Sequence, residues 1–433
     1  MGQTVPDTSK FMPFQFNRTR TGRFVHRTVT RIPDDRSMFS KDLFALRSSA
    51  ALLVALAPTV TVAQQPVQSE NPYQQLMKSA AAHAKASHDS TIPALSPLDS
   101  TVIDGSVPVA ALQKLGIKVV PWTTNDPEKM RAVIRTGVDG LISDRPDLLQ
   151  KVIAEERASS PQMAAKLKDF NVSGHRGGRG LRPENTLPAF ESGLDNLIDT
   201  IETDTGVTTD RVSMIWHDQF FNPQSCRKAD DSPYTMENRI YLRDISSHDA
   251  QATLICDKLK NAPNQFPDQK NDLALSPVAV AFAAQEHLIS PYVPTYAEQL
   301  FRFTAFYTDY YRNGAGKATP HAAERAKAGE RVHFNLETKI LPDYVPPMDP
   351  KLKIPVEMLQ NHTVSPQEFV DTLCGAIVRN HMEARSDVQS FDFRTLILVE
   401  QQFPAIQTFY LTQDSKSFST EFVPAALRQE PAK

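Results

Sequence analysis

Strand candidates that alternate with helix candidates predict an α/β chain folded as a closed TIM (β/α)8 barrel, and their order predicts that this barrel is circularly permuted. Two observations carry the expectation. From residue 171 onward five barrel strands can be read, near 171–175, 199–204, 332–338, 387–391 and 405–411, and before residue 150 there are three, near 101–104, 117–123 and 139–143. Together they make eight. The first and last strands of a closed barrel are neighbours, so a helix and short linker over 146–168 can join strand eight to strand one, with the chain ends opening between strands five and six. The rival arrangement, a tandem fusion with an eroded first copy, leaves the second copy stopping about twenty residues after its fifth strand.

Taken in order, residues 1–37 are polar and Arg-rich, and they are followed by Lys41 and Arg47, an apolar run from Ala50 to Ala57, and small residues ending at Ala63. That positive, apolar, small order is the order of a secretory signal. Residues 1–63 are therefore expected to be an extension and signal, with Met38 as the start, cleavage after Ala63, and an exported protein, periplasmic or secreted. The apolar run is too short to span a bilayer and no Cys follows it, so no stable membrane anchor is expected.

Residues 64–98 read as a frayed helix and linker, and 99–433 as a single permuted barrel domain. Within it, 99–157 hold the last three strands and 169–412 the first five, with an insertion at 219–330 after the second of these. Helices are expected at 126–137, where Asp126 is the cap and Gly137 the stop, after Pro183, and over 364–382.

Composition narrows the function. Apolar residues make up 40% and charged residues 22%, and a net charge of -3 gives no electrostatic reason to expect a nucleic-acid partner. Cys226, Cys256 and Cys374 have no spacing suited to zinc. In an exported protein a Cys226–Cys256 disulfide is a reasonable expectation, with Cys374 a buried thiol.

Four clusters sit where barrel strands end: His175 and Arg176 with Glu184 and Asn185, then Glu202 and Asp204, then His217 and Asp218, then Glu337 and Lys339. Reacting groups of such barrels come from the carboxyl ends of different strands. Residues i and i+2 of a strand point the same way, so Glu202 and Asp204 share a face, which is costly without a cation between them. With Glu337 they form an oxygen-only triad suited to one hard divalent cation, Ca2+ or Mg2+. His175 and His217 suit acid-base work as a pair, and Arg176 and Lys339 add charge for an anionic group. Such a set fits cleavage of a small-molecule phosphodiester.

The stretches HRG, PENT, IETD, WHD, NLETK and QSFD, with WTTND and GVDGLISDRP in the early segment, resemble the glycerophosphodiester phosphodiesterase family over 100–157 and 169–412. The resemblance implies a TIM barrel that hydrolyses glycerophosphodiesters to sn-glycerol 3-phosphate and an alcohol. It further implies His175 and His217 as acid and base, and Glu202, Asp204 and Glu337 as metal ligands. Arg176, Lys339 and Glu184 would serve the phosphate site, and Trp122 would line the pocket. Related barrels act on lysophospholipids or sphingomyelin-like lipids, so a lysophospholipase D or sphingomyelinase D-like activity is the first alternative. A silent phosphodiester-binding protein is the second. The permuted order also leaves open a monomer or a domain-swapped dimer, in which the early segment closes a neighbour's barrel.

Overall fold

The computed structural model describes residues 70–260, 265–340, 360–420 and 423–429; the expected signal segment, 1–63, lies outside the described residues. Helix α1 (Pro72–Ala86) opens the folded unit, capped by the Asn71 side chain, which accepts from the Tyr73 amide at 2.9 Å. Tyr73, Leu76, Met77, Ala80 and Ala84 bury one stripe of it. Strand β1 (Ala94–Pro97) follows, buried along its whole length. Both elements fall inside the span 64–98 expected to be a frayed helix and linker, which is a correction. The alanines that make this helix look weak are what lets it pack closely.

A second correction concerns 101–104, expected as the sixth barrel strand. These residues belong to helix α2 (Asp99–Ile103) and its end. The strand is ALSP instead, four residues whose Ser and Pro hide its period.

Helix α3 (Val109–Gln113) leads to the segment 118–122, then α4 (Pro127–Arg135), β2 (Gly140–Ser143), α5 (Pro146–Ser159) and α6 (Pro161–Lys166). Asp126 caps α4 by accepting from the Lys129 amide at 2.9 Å, as the sequence predicts. Strand β3 (Asn171–His175), α7 (Leu187–Asp195), β4 (Thr200–Val207) and β5 (Ser213–Ile215) come next, β5 folding back antiparallel on β4. The excursion that follows holds β6 (Arg227–Lys228), α8 (Ser247–Thr253), β7 (Leu254–Ile255) and α9 (Pro277–Gln285). Helices α10 (Ala297–Arg312) and α11 (Ala322–Arg331) return the chain to β8 (His333–Thr338). The last units are α12 (Pro366–Arg379), β9 (Ser386–Ser390), α13 (Phe393–Gln402) and β10 (Gln407–Thr412).

The strands form a TIM-like barrel. Hydrogen-bonded neighbours run β1, β10, β9, β8, β4, β3, β2. Segment 118–122 closes the ring between the two ends of that row. On one side the Val120 amide donates to Leu95 at 2.9 Å and the Trp122 amide to Pro97 at 3.0 Å; on the other, Asp139 donates to Val119 at 2.9 Å and Ile142 to Pro121 at 3.0 Å. Segment 118–122 thus fills the gap between β1 and β2.

The main core lies between this ring and the helices around it. Inside, the ring has two unlike halves. Ala94, Val120, Ile142 and Phe409 pack as an apolar plug, with Trp122 against it. Across from them Ser173, Glu202, Asp204, Asn335, Glu337 and Gln389 are buried and polar.

Cys226 and Cys256 are disulfide-bonded and Cys374 is a buried free thiol. The bridge ties the β6–β7 ribbon into a small cluster with Met214, Trp216, Phe221 and Leu254. Glu191 on α7 anchors the excursion to the barrel layer, its two carboxylate oxygens accepting the Val278 and Ala279 amides of α9 at 3.0 and 2.7 Å. Of the expected insertion 219–330, α10 and α11 pack on α7 and serve as barrel crossover helices. No described helix is long and apolar enough to cross a membrane.

The packing of α1 is testable. Leu76 is fully buried between α1 and the barrel layer. Leu76→Ala should lower the unfolding free energy by about 2–5 kcal/mol in denaturant melts, whereas a frayed linker helix would show no change.

Candidate active site

Three carboxylates meet at one end of the ring. Glu202 and Asp204 stand two apart on β4, and Glu337 on β8 is the register partner of Asp204. All three are buried, at 2%, 1% and 6% exposure, and one oxygen from each lies within 4.8 Å of the others. Burial, together with the charges of Asp204 and Glu337, drives the Glu202 carboxyl well above its ordinary range. Burial also pushes Glu337 up to about 7, against the pull of Lys339. Asp204 goes the other way: although burial disfavours its charge, Arg176, His217 and Lys339 hold it well below the carboxylate range.

The cations are close. Arg176 Nε stands 3.1 Å from Asp204 Oδ2 and its Nη1 donates to Glu184 at 2.9 Å, while Lys339 Nζ donates to Glu337 at 2.9 Å. Asp204 Oδ1 is buried and accepts no hydrogen bond, with the Lys339 ammonium 3.6 Å away. An unbonded carboxylate oxygen among three acids is a donor set with a place for a hard cation.

The backbone of the loop after β3 is shaped to this site. Arg176 and Asn185 both take left-handed conformations, at φ 51° and 58°. The Arg176 amide then donates to Glu202 Oε2 at 3.0 Å, and Asn185 Nδ2 to Asp204 Oδ2 at 2.9 Å. Gly177, at φ 82°, lies so close to α7 that a Cβ would sit 2.8 Å from the Phe190 nitrogen.

His175 and His217 flank the acids. His175 Nδ1 is 2.5 Å from Asp144 Oδ1, and its Nε2 is 3.8 Å from Glu202 Oε2. His217 Nδ1 is 2.7 Å from Asp218 Oδ1, and Asn222 holds the other Asp218 oxygen at 2.9 Å. Each ring therefore has a carboxylate on Nδ1, which leaves Nε2 for proton transfer. Burial pushes the His175 imidazole down to about 4, against the pull of Asp144. Burial lowers His217 as well, helped by Arg176 and Lys339. Asp144, despite burial, is held far below its ordinary range by His175 and Arg179.

Trp122 stands at the edge, its indole donating to Ser96 O at 3.0 Å and packing edge-on to Phe391 at 5.4 Å. The Lys339 ammonium lies 5.9 Å from the centre of that same Phe391 ring, which ties Trp122 to the site. Every candidate residue of the sequence analysis is thus linked to this one cluster.

Four of its members were not anticipated as site residues. Asp144, from the end of β2, holds His175; Arg179 donates to Asp144 at 2.6 Å; Lys260, from the excursion, donates to Glu184. Gln389 donates to Glu202, while Asn185, already in the first sequence cluster, donates to Asp204. The stretches GVDGLISDRP and QSFD contain two of the four, but nothing in their spacing says which carboxylate or ring each would meet.

Comparison with known proteins follows from this geometry. The model of the "Glycerophosphoryl diester phosphodiesterase family" matches residues 30–148 and 175–429. A search of curated proteins gives no match. Among solved structures, a protein assigned as a glycerophosphoryl diester phosphodiesterase from Silicibacter pomeroyi is 21% identical, with 60% of this chain and 69% of that one covered and a TM-score of 0.39. An Oleispira antarctica phosphodiesterase in complex with the product sn-glycerol-3-phosphate is 14% identical, over 55% and 65% of the two chains, with a TM-score of 0.30. A glycerophosphodiester phosphodiesterase from Parabacteroides distasonis is 12% identical, over 55% and 64%, with a TM-score of 0.29. The sequence match to the family is the comparison that bears weight.

The His175–Asp144 pair gives a direct test in the metal-free protein. His175 should titrate near pH 4 by NMR of labelled imidazole, and Asp144→Asn should move it lower still, because the carboxylate favours the charged ring. A histidine depressed in the folded state takes up its proton later than in the unfolded chain. His175 therefore contributes stability above the unfolded value of about 6.5 that is lost as pH falls toward 4.

Proposed function

Because the chain belongs to the glycerophosphoryl diester phosphodiesterase family, we propose that it hydrolyses glycerophosphodiesters to sn-glycerol 3-phosphate and an alcohol at the mouth of this barrel. The observation that carries the reading is the buried triad Glu202, Asp204 and Glu337 with its unbonded Asp204 Oδ1, flanked by two histidines that each have a carboxylate on Nδ1. The triad would hold one divalent cation, Ca2+ or Mg2+, which when bound offsets charge on the phosphoryl oxygens. Arg176 and Lys339 add fixed positive charge where the phosphate would lie, and Glu184 keeps the Arg176 guanidinium in place.

In this reading one histidine takes the proton of the substrate's glycerol hydroxyl as it attacks phosphorus, and the other gives a proton to the leaving alcohol oxygen as the P–O bond breaks. Water then opens the cyclic phosphate to sn-glycerol 3-phosphate, with the two histidines exchanging roles. His175, depressed to about 4, is neutral at pH 7 and suits the accepting role. Trp122 and Phe391 give the mouth an apolar wall.

A lipid phosphodiester is the second reading, and one observation favours it. Segment 266–270 lies on the catalytic loop, Gln269 Nε2 donating to Arg179 O at 2.7 Å and the Lys270 amide to Leu181 O at 3.0 Å. Directly after it Leu273, Leu275 and Val280 are exposed.

The strand order supports a circular permutation: β1, segment 118–122 and β2 fill the arc between β10 and β3. The folded ends also meet, with Gln429 Nε2 donating to Pro72 O at 2.7 Å and Tyr73 packing edge-on to Phe418 at 5.1 Å. Export, argued from residues 38–63, belongs to the same proposal.

Release of glycerol 3-phosphate from glycerophosphocholine by the chain from residue 64 on, with EDTA or added Ca2+ or Mg2+, tests the main reading. Activity should require the ion and fall about 10²–10⁴-fold in His175→Ala. Turnover of lysophosphatidylcholine alone would select the second reading, and inactivity on both with every ion would refute the two together. For the permutation, a variant joining residue 429 to residue 71 through a short Gly/Ser linker, with new ends between 168 and 169, should keep the far-UV circular dichroism and the activity. Failure of that variant to fold would count against it.

A further inference from the structure

The buried amide of Gln389 is the most constrained polar group near the triad that the proposed chemistry leaves unused. One row of inward-facing residues crosses neighbouring strands as Asp204, Glu337, Gln389, Phe409 and Ala94, each the register partner of the next. Gln389 is thus the last polar member before the apolar plug begins at Phe409. Its side chain does not stay in that row. It reaches back past β8 to Glu202, one inward position lower on β4, and Nε2 donates to Glu202 Oε1 at 2.6 Å.

Both partners are sealed from water, Gln389 at 1% and Glu202 at 2% exposure. An amide buried there without a partner would cost about 1–3 kcal/mol, and among the described residues its Oε1 accepts no hydrogen bond. A leucine or methionine would fill the space beside Phe409 without leaving a carbonyl stranded. The stranded oxygen indicates that the donor end is what the position requires.

The remaining contacts of Glu202 show what the donor does. Oε2 accepts the Arg176 amide, and the Gln389 amide fixes Oε1 from the other flank of β4. The carboxylate plane is thereby held by two neutral donors rather than by a cation. Asp204, by contrast, has the Arg176 guanidinium and the Lys339 ammonium beside it as well as the Asn185 amide, and Glu337 accepts from the Lys339 ammonium. A neutral donor orients a carboxylate while leaving its full negative charge for a bound ion, where Lys or Arg would cancel it.

Resting on the metal-dependent reading above, we propose that Gln389 is a positioning residue for the cation, orienting Glu202 as a ligand from the seam between the acidic and apolar halves of the barrel. Its removal should act on ion binding, not on the histidines or on folding.

Calorimetric titration of Ca2+ and of Mg2+ into the EDTA-treated chain from residue 64 on tests this, with Gln389→Met as the shape-conserving variant and Gln389→Glu as the isosteric one. Gln389→Met should weaken binding of whichever ion the parent takes by about 10–100-fold. Its metal-free melting temperature should stay near that of the parent, and kcat should be regained at saturating ion. Gln389→Glu, which lacks the donor and adds a fourth acid, should weaken binding near pH 7 rather than rescue it. Equal ion affinity in the parent and Gln389→Met would overturn the positioning role while leaving the metal reading intact. No ion binding by the parent itself would overturn both.

Discussion

Holding three carboxylates together inside a barrel is the constraint on which the rest of this structure depends. Glu202, Asp204 and Glu337 repel one another in a place where water cannot screen them, and the protein answers with fixed partners on every side. Arg176 and Lys339 keep Asp204 ionised; Asn185, Gln389 and the Arg176 amide orient oxygens without discharging them. Left-handed backbone at Arg176 and Asn185 is the local cost of placing those donors. The amide, the guanidinium and the neighbouring His175 ring all come from two consecutive residues at the end of β3, so the loop's conformation and the site's electrostatics are one feature.

The division of the barrel interior follows from the same constraint. A ring of eight strands cannot be lined with charge throughout, because each buried ionisable group needs its own partners. Here the polar groups occupy the arc from β3 to β9, and the arc of β10, β1, segment 118–122 and β2 is filled by Phe409, Ala94, Val120 and Ile142. The plug gives the acids a low-dielectric wall, which strengthens their attraction to any cation as much as their mutual repulsion. Trp122 continues the plug to the mouth of the barrel.

Much of this was legible in the sequence, but only where the information is local. The i, i+2 spacing places Glu202 and Asp204 on one face without any knowledge of the fold, and six of the seven ring strands, with the bridging segment 118–122, fall close to where periodicity puts them. The strand at Ala94–Pro97 was missed because four residues with a Ser and a Pro carry no usable period, while the helix expected within 64–98 is present as α1 but packed rather than frayed, its alanines reading as weak amphipathicity. Asp144 and Gln389 were missed for a different reason. Their partners are 31 and 187 residues away in sequence, and which strands lie side by side in the ring is what joins them.

That lateral adjacency also joins the early segment of the chain to the later one. The Asp144–His175 pair crosses from β2 to β3, so the early segment supplies the carboxylate of a ring on the later one, and the pair needs these two strands to lie side by side. The folded ends, by contrast, lie beside β10 and α1, on the arc whose inward residues are Ala94 and Phe409. No candidate proton donor, cation or metal ligand stands on either flanking strand. The hydrogen bonds among the acids, amides and histidines thus lie away from the arc where the folded ends meet.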